Sequence, residues 1–139
     1  MDFLAVAMRW AHIASMAFVV GGAFYARFVI TPALSGLSDT ERGKVAGRIA
    51  AALRPLMLAA VVVLLGSGTF NLLRKSNLPA GYHMWFGIKS LFALHVVAVS
   101  VLLGREGVDA EKRTRWLTGI AASGVVVMLI SAVLRAMQQ

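Results

Sequence analysis

The sequence predicts an all-α integral membrane protein: four transmembrane helices in an up-down bundle, with a short interfacial helical segment before the second span. Three observations carry this. Of 139 residues, 59% are hydrophobic and 14% charged, where a soluble domain has about 45–50% and about 25%. Mean hydropathy is +0.78. Four apolar stretches each hold the ~20 helical residues needed to cross ~30 Å of hydrocarbon. All six carboxylates (Asp2, Asp39, Glu41, Glu106, Asp109 and Glu111) fall outside those stretches. Residues 1–139 read as a single four-helix transmembrane domain.

The first span runs from about Phe3 to Ile30. Its length, the early Asp2 and the lack of an early Lys or Arg argue for a retained span over a cleaved signal peptide. Thr31-Pro32 ends it, because proline lacks a donor and disfavours helix at the residue before it. Ser38-Asp39-Thr40-Glu41 is a capping box of the S-x-x-E kind, so a helix starts at Asp39. Its first turns carry Arg42, Lys44 and Arg48, which places them in the interface. Arg54-Pro55 marks a kink or restart, and the second span follows to about Leu73. A short loop with Asn77, Pro79 and Gly81 leads to the third span, about His83 to Leu103. Gly104 to Lys112 is a charged turn with Asp109 as N-cap. The fourth span covers about Arg113 to Ala136. Small residues recur at four-residue spacing in Gly22/Ala26, Gly43/Gly47 and Gly119/Ser123. With Gly66-Ser67-Gly68, they mark positions of close helix approach.

The net charge of +8 reflects cations flanking apolar spans, so it points to the bilayer and not to nucleic acid. Nine of the 14 Lys and Arg residues lie in or near the loops after spans one and three, and five lie towards the other face. The positive-inside rule then puts both termini outside the cytoplasm, in a bacterial inner membrane. Trp10 and Trp85 fit an aromatic belt on the outer side, Trp116 one on the inner side. The chain has no cysteine, which excludes disulfides, thiolate metal sites and iron–sulfur clusters.

Basic residues do enter the spans. Lys89 lies within a long apolar run, and Arg9, Arg54 and Arg135 lie near the ends of others. A charge at mid-bilayer costs at least ~2.5–3.5 kcal/mol unless it snorkels or is paired. With no carboxylate at that depth, the partner is an anionic ligand, a lipid phosphate or a row of backbone carbonyls. His12, Asn71, Lys89 and Arg135 fall in the outer half, one per helix. His95 lies about 9 Å deeper than Lys89 along its helix. Met8, His12 and Met16 form one stripe, and His83 and Met84 sit at the outer end of span three.

Three ligands suit these residues. Haem b takes His12 or His95 on its iron and pairs its propionates with Lys89, Arg9 or Arg135. Copper takes Met8, His12 and Met16 but leaves the cations unexplained. A quinone or isoprenoid uses the same pocket without both histidines. A ligand-free accessory or assembly subunit is the bland alternative, as a homo-oligomer or within a larger membrane complex.

Arg9-Trp10-Ala11-His12-Ile13, Gly21-Gly22 and Thr31-Pro32-Ala33-Leu34 resemble the first helix of the copper-resistance CopD-type membrane domain. Trp85-Phe86-Gly87-Ile88-Lys89, followed by His95, is similar to the lysine-bearing helix of the same group. That group includes the four-helix HemJ-type protoporphyrinogen oxidases, with a histidine on the first helix and a lysine on a later one. The resemblance implies a helical membrane bundle. From the CopD side it implies copper handling. From the HemJ side it implies haem b, a porphyrin or quinone ligand and a haem-dependent oxidoreductase, carried onto His12 and Lys89. CopD proteins are larger, so this chain would be an isolated domain.

Overall fold

The computed structural model describes residues 2–75, 79–103, 105 and 107–137. Four long helices account for nearly all of them, each long and apolar enough to cross a membrane: α1 Phe3–Ala33, α2 Asp39–Leu73, α3 Tyr82–Leu103 and α4 Ala110–Ala136. Asn77, Gly104 and Glu106, expected in the connecting turns, lie outside the described residues.

The polar caps form as their spacing requires. The backbone N–H of Glu41 donates to Ser38 Oγ, and the Glu41 carboxylate accepts from the Ser38 backbone N–H at 3.2 Å. The Lys112 N–H donates to Asp109 Oδ1 at 2.7 Å, so α4 starts at Ala110, three residues before the expected Arg113. Gly81 turns the chain into α3 with φ +80, a conformation that suits glycine.

Pro32 and Pro55 both lie inside helices. Pro32 does not end α1 at Ile30. The helix widens into a π-turn over Ala26–Ile30 and continues to Ala33. The Ala26 carbonyl accepts both the Thr31 backbone N–H and, at 2.8 Å, the Thr31 hydroxyl. The π-turn shifts the hydrogen-bond ladder by one residue just before proline would break it. Pro55 neither ends nor restarts α2, which runs unbroken for 35 residues. Proline removes one ladder bond, and a membrane helix can absorb that loss locally.

Neighbouring helices run antiparallel. Met8 and His12 of α1 meet Asn71 and Ser67 of α2. Arg27 of α1 donates to Thr118 of α4, and His95 of α3 meets Ser123 of α4. The pairs α1–α2 and α3–α4 are the extensive contacts, joined through α1–α4, while α2 and α3 meet sparsely. One core cluster lies towards the loops that follow α1 and α3, hereafter the loop end. It is built from Val19 and Ala23, Val96, Val99 and Leu103, and Leu117 and Ile120. A smaller cluster of Tyr82, Ile130 and Leu134 lies near the chain termini. In α2 only Val61, Leu64 and Ser67 are buried, a stripe facing α1. The first 22 residues of α2 bury none.

Among the described glycines, Gly124 of α4 leaves the least room for a side chain. A Cβ there would lie 2.5 Å from Val20 Cγ2 on α1. Gly21, Gly22, Gly43, Gly47 and Gly66, by contrast, face open space. Of the expected Gly22/Ala26 and Gly43/Gly47 contacts, only Ala26 packs against the core. Gly119 and Ser123 do receive a neighbour, the His95 ring.

Candidate functional site

His12 is half-buried on α1 and turns its Nδ1 onto α2. The Leu64 carbonyl oxygen lies 3.1 Å away and Ser67 Oγ 3.2 Å away. A carbonyl only accepts, and the Ser67 hydroxyl donates at 2.5 Å to the carbonyl of Val63. The proton between these groups therefore belongs to His12 Nδ1. The neutral ring then carries its lone pair on Nε2, free to bind a metal or accept a hydrogen bond. A histidine whose Nδ1–H is held by a carbonyl is the arrangement that orients metal-ligating imidazoles. Gly68 makes room for the ring, since a Cβ there would come 3.1 Å from His12 Cε1. Interhelical hydrogen bonds in lipid contribute about 0.6 kcal/mol on average. The contact therefore aims the ring more than it holds the bundle.

Asn71 is half-buried one turn further along α2, with its side-chain amide donating to the Met8 carbonyl at 3.5 Å. Met8 and Met16 are half-buried on the same face of α1 as His12. Lys89 is half-buried on α3. Among the described residues Lys89 has neither an ion-pair partner nor a side-chain hydrogen bond. The ion pairs use Asp39, Asp2 and Glu111 with Arg42, Arg74 and Arg115. Lys75 donates to the Tyr82 hydroxyl at 2.7 Å and lies over the Tyr82 ring.

The structure therefore brings His12 and Asn71 to one seam between α1 and α2, while Lys89 lies on α3 and makes no hydrogen bond to either. His95 belongs elsewhere. It is exposed, its Nδ1 is 2.9 Å from Ser123 Oγ, and its ring packs on Gly119. Six residues of helix separate Lys89 from His95 by about 120°, so the two address different neighbours. Arg9 and Arg135 are exposed at the end carrying the termini. His83 and Met84 are exposed as well. Among the described residues no three His, Asp or Glu side chains gather in a way that would hold a metal ion.

A cavity of about 500 Å³ opens at the loop end, between α1 and the first half of α2, with the ends of α3 and α4 behind it. None of the residues expected to bind a cofactor lines it. Arg54 and Arg113 are its charged groups. Sequence reasoning marked Ser67 and Gly68 only as small packing residues, and their role beneath His12 has no separate sequence signal.

Comparison with protein-family models, curated proteins and solved structures finds no match to this chain.

Proposed function

We propose that this chain is a membrane redox protein that binds haem b through His12, with Lys89 neutralising a propionate. The observation that supports this reading is the His12–Leu64 contact, which leaves Nε2 as the free nitrogen of the imidazole. Lys89, with no carboxylate partner among the described residues, supplies the positive charge that an anionic group would need. Asn71 lies one turn away and can donate to a polar substituent. Haem b, when bound, supplies a one-electron redox centre within the bilayer. The protein's own part is to fix the imidazole tautomer, to supply a cation on α3 and to hold the site among apolar helices. His95 is a second candidate ligand at a separate seam, where the Ser123 hydroxyl at Nδ1 can donate or accept and so does not select the free nitrogen. The resemblance to HemJ-type oxidases agrees with this reading, as does an inner-membrane location with both termini outside the cytoplasm. A porphyrin or quinone would be the redox partner.

A second reading is copper binding along Met8, His12 and Met16, favoured by the half-burial of both methionines on the His12 face. Copper, however, would be repelled by Lys89.

The visible spectrum of the full chain purified in detergent tests the proposal. A Soret band, lost or altered in His12→Ala but retained in His83→Ala, is the expected result. Equal pyridine haemochrome content in wild type and His12→Ala would eliminate His12 as an essential ligand. Copper without haem, lowered by Met8→Leu with Met16→Leu, would favour the second reading.

A further inference from the structure

We infer that the loop-end cavity binds an anionic phospholipid, with one acyl chain in the groove and its phosphate on Arg54 and Arg113. The walls are almost wholly apolar, from Phe18 and Met57 to Leu117. Of the three lining hydroxyls, the exposed Tyr25 phenol has no hydrogen-bond partner among the described residues, and those of Thr31 and Ser100 are already committed. They donate to the carbonyls of Ala26 and Val96 on their own helices at 2.8 and 2.7 Å. Charged donors remain only on the two arginines. Arg113, half-buried, directs Nη1 to the Leu103 carbonyl at 3.5 Å, and its other N–H groups have no partner among the described residues. Arg54 has no side-chain hydrogen bond and no ion pair among the described residues.

An occupant must therefore be apolar along its body and anionic at one end. Guanidinium groups match phosphate geometry with paired N–H donors. The cavity of about 500 Å³ holds roughly 16 groups of the ~30 Å³ size of a water molecule or methylene. That suits one acyl chain. A quinone would fill the same space but leave both cations unpaired at the edge of the hydrocarbon, so the charge favours the lipid. The cavity contains none of the His12 constellation, and this inference stands or falls apart from the haem reading.

Native mass spectrometry of the full chain, offered dioleoyl phosphatidylglycerol and dioleoyl phosphatidylcholine at equal concentration, tests it. The anionic lipid should be retained about tenfold over the zwitterionic one, the scale of one charge-assisted hydrogen bond. Arg54→Gln with Arg113→Gln should abolish the preference, and Arg54→Lys with Arg113→Lys should keep part of it. Gly22→Leu, which adds bulk where a Cβ meets open space, should reduce retention of both lipids. Arg48→Gln, exposed on α2 outside the cavity, should change nothing. Equal retention of the two lipids would overturn the inference. So would a preference that survives the double glutamine variant. Displacement of the lipid by inorganic phosphate would assign the cations to free phosphate instead. Ubiquinone retained in preference to phosphatidylglycerol would overturn it in favour of a quinone.

Discussion

His12 Nδ1 on α1 lies 3.1 Å from the Leu64 carbonyl oxygen on α2. One hydrogen bond thus joins two helices and selects the imidazole nitrogen that stays free. The ring lies against helix backbone at Gly68, where a Cβ would approach Cε1 to 3.1 Å.

That proximity makes Gly68 a lever on the site. Gly68→Ala adds helix propensity worth about 1 kcal/mol but pushes the ring by a few tenths of an ångström. Stability should stay within about 1 kcal/mol of wild type, while any haem spectrum shifts. Gly68→Val should cost about 1–3 kcal/mol through overpacking. Thermal unfolding in detergent and the Soret position check both. An unshifted spectrum in Gly68→Ala would separate the ring position from the cofactor.

Gly124 and Val20 set the distance between α1 and α4. A Cβ at 124 would lie 2.5 Å and 2.6 Å from the two Val20 methyl carbons, and valine has little freedom to rotate away. Gly124→Ala should destabilise the bundle by about 1–3 kcal/mol. Val20→Ala in the same chain should restore much of that. A double-mutant cycle measures the coupling, and additive effects would show that the helices do not meet there.

Lys89→Met should leave the empty bundle as stable as wild type or more so, because methionine has similar length and is cheaper in lipid. Haem-induced stabilisation should weaken. Lys89→Arg should be intermediate, since charge is kept and geometry changes. Identical haem-induced stabilisation in wild type and Lys89→Met would refute a ligand-neutralising role.

Asp2 caps α1 through the Ala5 backbone N–H at 3.2 Å and pairs with Arg74 at the start of the next loop. The Ala5 bond first, and Arg74 after it, hold the carboxyl below its ordinary value of 3.8. A depressed folded value adds stability that is full above pH 3.8 and is lost as pH falls through the lowered value. Asp2→Asn should therefore lower Tm at neutral pH, and the difference from wild type should vanish in acid. A gap that is constant with pH would show that the carboxylate charge contributes nothing.

If both termini lie outside the cytoplasm, as the positive-inside rule expects, a periplasmic reporter should be active at the C-terminus. A cytoplasmic reporter should be active in the loop between α3 and α4. A cytoplasmic C-terminus would reverse the orientation and move Lys89 and His12 towards the inner leaflet.

The four spans, the Ser38 and Asp109 caps and the confinement of carboxylates to helix starts and loops were legible in the sequence. Each depends on a local run of residues and on how far a helix must reach. Which faces meet was decided only in the tertiary structure. Both sides of a helix in lipid face apolar surroundings, so hydrophobic period does not separate a packing face from a lipid face. His12 and His95 looked equivalent as isolated polar residues, yet one turns to the Leu64 carbonyl and the other to Ser123. Among the small residues only packing singled out Gly124, where two helices touch, from Gly22, which lines a cavity. The pairing of Arg54 with Arg113 at that cavity crosses from α2 to α4, a juxtaposition that residue spacing along the chain does not encode.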